Sequence, residues 1–251
     1  MSFGAIPYKR AWYLDVVSNI SEEMRPLIAI LVELRNGNLE CVRDLVPLLT
    51  HSHLDVRLYA QQLFTDVCSH NNTSAFNLAL GAAKTLDETR RILFRMGQTL
   101  SLSVIPALLT WREELDNLEI DEYVYHALST ILPVSGINPF AMSSFDVREK
   151  YERAVAGLDS SRYYYRGKQL FVGDFTKELI VAATVAFKEG TKVNLFMQPQ
   201  LLSNFSGKKC PIIGGQRITA ADMNALLSYV EGIATMKWKA GVKYFFQHEV
   251  V

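Results

Sequence analysis

Apolar residues in the first 135 positions recur at spacings of three and four, the period of an amphipathic α-helix. One such run contains Leu54, Val56, Ala60, Leu63, Phe64 and Val67, and another contains Val124, Ala127, Leu128, Ile131 and Leu132. Short polar turns separate these runs, and no alternating pattern typical of a β-strand interrupts them. The pattern therefore predicts that this half of the chain is helical.

A weak repeat is superimposed on these predicted helices. Residues 45–68 and 104–132 each combine an apolar segment containing a proline, a polar turn, and a second segment with a small residue. Both units resemble HEAT repeats, in which a proline bends the first of two antiparallel helices and a small residue allows close packing. The sequence thus predicts HEAT-like antiparallel helix pairs, with Pro47 and Pro106 at equivalent positions and Ala60 and Ala127 on the second helices.

The pattern breaks at residues 133–139, where two prolines and a glycine occur close together. Such residues interrupt regular structure, so we place a boundary there. We therefore divide the chain into a HEAT-like region at 1–135 and a mainly helical region at 136–251.

The second region contains three recognisable local signals. Arg166 and Gly167 are predicted to turn a short hairpin. The segment 179–187 is apolar almost all round, which predicts a buried helix. Thr219 and Asp222 have the spacing of a capping box at the start of a further helix. The expected fold class is therefore mostly α, with one short hairpin in the second region.

The amino-acid composition excludes some classes of function but says little more about the fold. The chain has 26 Lys+Arg against 26 Asp+Glu, so it has no net field that would attract nucleic acid or an anionic membrane. Residues 1–135 hold 11 basic and 16 acidic residues, whereas residues 136–251 hold 15 and 10. Three widely spaced cysteines without a CxxC motif are typical of reduced thiols. Because no signal-peptide pattern is found either, we expect a cytoplasmic protein without a membrane partner.

Two pairs of ligand-type residues, His51 with His53 and Cys68 with His70, resemble parts of a metal site. The helix predicted between them holds residues 53 and 68 about 22 Å apart, whereas zinc needs its ligands about 2.0–2.3 Å from one point. Motifs of hydrolases and nucleotide-binding proteins, such as GxSxG, HExxH and the P-loop, are absent from the sequence. We therefore predict no metal, no cofactor and no enzymatic activity.

The densest polar feature is a group of carboxylates in the second HEAT-like unit. We name it the acidic cluster, and it consists of Glu113, Glu114, Asp116, Glu119, Asp121 and Glu122. The sequence predicts that an insertion widens the turn here, so that the cluster lies on a projecting loop. Clustered carboxylates repel one another, and a basic protein partner would relieve that repulsion and gain charge-assisted hydrogen bonds. A solvated loop that only maintains solubility is the alternative.

Four features together resemble a known protein family. They are the HEAT-like front, residues 104–109 with the acidic cluster after them, and the segments 201–207 (LLSNFSG) and 241–245 (GVKYF). With these features the chain resembles bacterial immunity proteins of polymorphic toxin systems, and among them immunity protein family 47. The resemblance implies a small cytoplasmic protein that binds its cognate toxin domain and blocks the toxin's active site. The resemblance identifies no contact residues in this chain. We therefore predict the partner-binding site from the carboxylates of the acidic cluster, and we expect the toxin to be a nuclease.

Two other function classes stay open on the sequence alone. One is a HEAT-repeat adaptor in a regulatory assembly, and the other is a helical-repeat nucleic-acid enzyme. Basic and aromatic residues alternate at 237–246, a pattern that can bind single-stranded nucleic acid. An enzyme of that kind needs basic residues along its repeats, however, and the repeat half of this chain is acidic. A toxin gene immediately upstream would favour the immunity function over the adaptor.

Overall fold

Helices form most of the protein, as the periodicity of its apolar residues predicts. A computed structural model describes residues 22–115, 117–137, 142–195 and 197–251. The α-helices in chain order are α1 (Arg25–Arg35), α2 (Leu54–Val67), α3 (Ala75–Gly81), α4 (Leu86–Gln98), α5 (Ile105–Leu115), α6 (Leu118–Ile131), α7 (Ser144–Ala156), α8 (Val172–Glu189), α9 (Gln198–Ser206) and α10 (Ala220–Ala234). Shorter 3-10 helices cover Glu22–Met24 and Leu102–Val104, and a longer one covers Leu39–Thr50. The mostly α fold class is therefore confirmed. No helix within the described ranges is long and apolar enough to cross a bilayer.

Two small hairpins accompany the helices. Their strands are β1 (Tyr164–Tyr165) with β2 (Lys168–Gln169), and β3 (Tyr244–Phe245) with β4 (His248–Glu249). The turn between β1 and β2 holds Arg166 at φ 49° and Gly167 at φ 79°. Two successive residues with positive φ give the turn whose twist matches that of the flanking strands. The hairpin predicted at Arg166 and Gly167 is therefore present.

The larger compact unit consists of residues 22–170 with residues 240–243 and 249–251. In it α4 packs against α2, α3 and α6, while α5 packs against α6 and α7. The approach of α4 to α6 is close where Gly97 meets Ala127, because a Cβ on Gly97 would lie only 2.6 Å from the Ala127 Cα. Ala127 therefore does lie at a close helix contact, although the helix it approaches is α4.

Pro47 and Pro106 occupy different positions in their helices. Pro47 lies in the last third of the 3-10 helix Leu39–Thr50, whereas Pro106 is the second residue of α5. A proline in the first turn of a helix removes no hydrogen bond, so α5 continues through it, whereas a proline further along removes a donor. The prediction of equivalent positions is wrong. The HEAT-like character of this region and the boundary near residue 135 stay predictions.

A buried lysine joins residues 240–243 to the helices of the larger unit. The Lys243 Nζ donates to the carbonyl oxygen of Thr65 at 2.7 Å, of Thr99 at 3.3 Å and of Cys68 at 3.4 Å. These carbonyls lie at the ends of α2 and α4, where the last C=O groups have no partner within the helix. Burial lowers the pKa of the Lys243 ammonium. This side chain therefore satisfies two helix ends at once.

The smaller compact unit contains residues 171–239 and 244–248. In it α8 packs against α9 and α10, and α9 packs against β3. The sequence predicts that the segment 179–187, which lies in α8, is buried, but Val181, Val185 and Phe187 are exposed. That prediction is wrong, because α9 and α10 cover only part of the α8 surface.

The capping box predicted at the start of α10 is confirmed. The Thr219 hydroxyl accepts a hydrogen bond from the Asp222 N–H at 3.2 Å, and the Asp222 carboxylate accepts one from the Thr219 N–H at 2.9 Å. Two N–H groups at the helix start, which would otherwise lack a partner, are satisfied in this way. The helix therefore begins where the sequence places it.

Candidate partner-binding site

The acidic cluster lies on two helices and the short connection between them. Two of its members end α5 and three begin α6, while the sixth, Asp116, lies outside the described residues. The Asn117 side chain caps α6 by accepting a hydrogen bond from the Glu119 N–H at 2.9 Å. Carboxylates in a first helical turn are stabilised by the helix dipole, so α6 begins inside the cluster. The projecting loop expected from the sequence is therefore wrong.

Two members of the acidic cluster form exposed ion pairs with neighbouring helices. Arg148 of α7 donates hydrogen bonds to both oxygens of Glu113, at 2.9 Å and 2.8 Å. These bonds lower the pKa of the Glu113 carboxyl. Arg90 of α4 pairs with Glu119. Both carboxylates thus have a positive charge beside them, which weakens the field they offer a partner.

A third member of the acidic cluster belongs to a buried junction. Arg112 of α5 is only 6% exposed, and its Nε lies 3.1 Å from a carboxylate oxygen of Asp121. Its Nη1 donates to the Ser144 hydroxyl at 3.1 Å. One guanidinium therefore connects α5, α6 and the first residue of α7. Removing one partner of a buried charge pair leaves the other charge without compensation, so Asp121 has a structural task here.

Glu114 and Glu122 differ from the members that are paired. Both side chains are exposed. Within the part of the chain that the structure describes, neither forms an ion pair. Their negative charge therefore stays available to a ligand, and of the described members they are the ones best placed to meet a basic protein.

A partly buried network of hydroxyl groups lies beside His70 in the larger unit. The His70 Nδ1 lies 2.7 Å from the Ser101 Oγ, and the His70 ring stacks on Tyr163 at 4.0 Å between centroids. A histidine beside a serine is the arrangement that activates a nucleophile. Ser101 is completely buried, however, and its Oγ accepts the Ser103 N–H at 3.2 Å as a helix cap. The Ser101 hydroxyl is therefore shielded from a substrate and has a structural role as a helix cap.

The candidate metal ligands do not converge. No group of three or more His, Cys, Asp or Glu side chains within the described ranges is arranged to hold a metal ion. The His51 Nδ1 accepts a hydrogen bond from the His53 N–H at 3.1 Å, which is a local turn contact. Cys68 is fully buried, and this burial raises the pKa of its thiol. A thiol in such a place is a poor nucleophile, because the thiolate is disfavoured.

The partners that the acidic cluster finds on other helices are not visible in the sequence. Arg148 follows Glu113 by 35 residues, and it lies in a segment rich in both signs of charge. Alternating charges on a helix predict contacts between residues three or four positions apart, and they carry no information about a neighbouring helix. The sequence therefore identifies the carboxylates but leaves open which of them are neutralised.

Comparison with known proteins decides the family. The family model described as Immunity protein 47 matches residues 21–250 of this chain. The chain belongs to the immunity protein 47 family. The resemblance stated from the sequence is therefore confirmed. No curated protein and no solved structure matches the chain.

Membership of the immunity protein 47 family answers two questions that the geometry leaves open. Immunity proteins have a cognate toxin as their partner, so this chain has an immunity function with a toxin partner. The family is not one of enzymes, in agreement with the prediction from the sequence. The match assigns no binding surface, so the acidic cluster as the contact site stays a prediction.

Proposed function

We propose that this immunity protein neutralises its cognate toxin domain in the cytoplasm by forming a stoichiometric complex, and that the toxin is a nuclease. The family match supports the immunity function. The observation that carries the choice of toxin is the pair of exposed carboxylates on Glu114 and Glu122, which have no ion pair among the described residues. Such a surface suits a basic protein.

The charge of a nuclease explains why carboxylates can block it. A nuclease must hold phosphate groups, so its substrate groove is basic. Carboxylates presented to that groove take the place of phosphates and form charge-assisted hydrogen bonds with the same arginines and lysines. The zero net charge of the chain is compatible with this binding, since a local patch is enough to steer association.

Charge reversal at Glu114 and Glu122 tests the proposal. The double variant Glu114→Lys, Glu122→Lys leaves Asp121 in place, because a lysine at 121 would face the buried Arg112 and destabilise the fold. A matched control is Asp44→Lys, Glu231→Lys, which reverses two exposed carboxylates elsewhere that also form no ion pair within the described residues. Both variants change the net charge equally, so they separate local from global electrostatics.

The measurement is the association rate with an inactivated toxin domain encoded beside the gene for this chain, at low and at physiological salt. We expect the Glu114→Lys, Glu122→Lys variant to associate at least about tenfold more slowly at low salt, with a weaker salt dependence. The control variant should keep most of the wild-type rate. Equal rates for all three proteins would exclude the acidic cluster as the contact. If the wild-type protein protects cells against no toxin encoded beside it, the adaptor function replaces this proposal.

A further inference from the structure

Three large apolar side chains lie exposed beside the acidic cluster. We name them the apolar group, and they are Leu115 at 37% exposure, Leu118 at 70% and Phe145 at 72%. Single exposed leucines are common on protein surfaces, whereas several exposed apolar side chains together, surrounded by polar residues, mark interaction sites. The three side chains form one surface only if the helix ends that carry them lie close together.

Arg112 brings those helix ends to one place. Its guanidinium is 3.1 Å from Asp121 on α6 and 3.1 Å from the Ser144 hydroxyl on α7. The leucine of α5 lies three residues after Arg112, the leucine of α6 lies three residues before Asp121, and the phenylalanine follows Ser144 directly. Residues three apart share one face of a helix. The three helix ends that carry the apolar group therefore meet at the junction that Arg112 makes.

The phenylalanine of the apolar group is held on a well-defined helix start. Ser143 caps α7: its hydroxyl accepts a hydrogen bond from the Asp146 N–H at 3.2 Å and donates one to the Asp146 carboxylate at 2.6 Å. A fixed backbone lowers the entropy lost when the side chain above it binds a partner. Phe145 has few rotatable bonds and a large apolar surface, which are properties of the aromatic residues that dominate binding energy at interfaces.

The charges around the apolar group define the partner that would cover it. Glu114 precedes its first leucine directly, Asp146 follows its phenylalanine directly, and Glu122 lies four residues after its second leucine. All three carboxylates belong to exposed residues. An apolar centre with an acidic rim is complementary to an apolar pocket with a basic rim. The surface therefore fits a basic protein and repels an acidic one.

We propose that the apolar group is the centre of the toxin-docking surface, with Phe145 inserted into an apolar pocket that basic residues of the toxin surround. This inference rests on the proposed function and deepens it, because it assigns the residues that hold the complex together. The carboxylates accelerate association, whereas the apolar group slows dissociation.

Alanine substitutions with matched controls test the assignment. The variants are Phe145→Ala and Leu118→Ala. The controls are Phe187→Ala on α8 and Leu78→Ala on α3, which remove exposed side chains of the same types elsewhere, at 45% and 58% exposure. Binding to the inactivated toxin domain encoded beside this chain's gene is measured by titration calorimetry. Circular dichroism verifies that each variant melts like the wild type. We expect Phe145→Ala to raise Kd at least about 30-fold and Leu118→Ala about fivefold, with both controls unchanged.

The outcomes separate this inference from the function on which it rests. Loss of affinity confined to Phe145→Ala and Leu118→Ala supports the apolar group as the docking centre. A wild-type complex that Phe145→Ala leaves intact, or one that Phe187→Ala or Leu78→Ala weakens as much, overturns the inference while the immunity function stands. A wild-type protein that neither binds the toxin domain nor protects cells overturns both.

Discussion

Replacing Gly97 with alanine tests how closely α4 and α6 pack. A Cβ at this position would lie 2.6 Å from the Ala127 Cα, 2.9 Å from its Cβ and 2.9 Å from its carbonyl oxygen. Carbon atoms in contact usually lie about 3.5–4.0 Å apart. Two of the three atoms belong to the backbone and cannot rotate away. The helices must therefore separate by about 1 Å to admit the methyl group.

Two opposing effects set the size of the change. Overpacking of this kind costs about 1–3 kcal/mol. Alanine also favours a helix over glycine by up to about 1 kcal/mol, and by less near a helix end such as this one. The net loss in the free energy of unfolding is then about 1–2 kcal/mol, which lowers Tm by roughly 2–8 °C for a chain of this length. Gly81, the last residue of α3, is a matched control because no atom lies within 4 Å of its added Cβ.

Urea and thermal unfolding, followed by far-ultraviolet circular dichroism, measure both variants against the wild type. Gly81→Ala should leave stability unchanged or raise it by up to about 1 kcal/mol. Adding Ala127→Gly to Gly97→Ala removes only one of the three close atoms, so it should restore little of the loss. The packing argument fails if Gly97→Ala is as stable as Gly81→Ala, or if Ala127→Gly restores it fully.

Two further predictions concern buried charges in the larger unit. Lys243→Met should lower the free energy of unfolding by about 2 kcal/mol, because carbonyl groups at two helix ends lose their donor. If urea unfolding shows equal or higher stability, the cost of burying the Lys243 ammonium outweighs those hydrogen bonds. The Lys84 N–H and Arg57 lower the pKa of Glu88 below its ordinary 4.5, so its stabilisation is complete above that pH and is lost as pH falls through the folded value. Glu88→Gln should therefore be less stable than wild type by about 1–3 kcal/mol at neutral pH, with a gap that narrows in acid; a gap independent of pH contradicts this.

Local signals in the sequence predict local structure well. The capping box of Thr219 and Asp222 forms because both hydrogen bonds join residues three apart, and no distant contact competes for them. The hairpin turn at Arg166 and Gly167 has two adjacent residues with positive φ, and its two N–H groups also donate to the carbonyl oxygens of Thr130 and Ile131, at 2.8 Å and 2.9 Å. Both signals lie within a few residues, the range over which a sequence pattern is informative, although the hairpin turn is also held by the end of α6.

Predictions that depend on distant neighbours are less successful. The apolar surface of α8 predicts burial, yet burial requires other elements to pack on every side of the helix. The sequence of one helix does not show how many elements pack against it. The acidic cluster was expected on a loop, whereas Asn117 starts α6 inside it. Arg148 and Arg90 pair with its carboxylates from other helices. The type of residue at the candidate site could thus be predicted from the sequence, but its charge balance and its apolar neighbours could not.

The bond between Lys243 and the end of α2 has a consequence for the timing of biosynthesis. Lys243 follows Thr65 by 178 residues. A ribosome adding about 5–20 residues per second needs roughly 10–40 s to travel from one to the other. For most of that interval both α2 and α4 have already been synthesised, but the carbonyl groups at their ends still lack the Lys243 ammonium. These bonds therefore form late in a newly made chain, and a product terminated before Lys243 lacks this donor at both helix ends however much of the larger unit it contains.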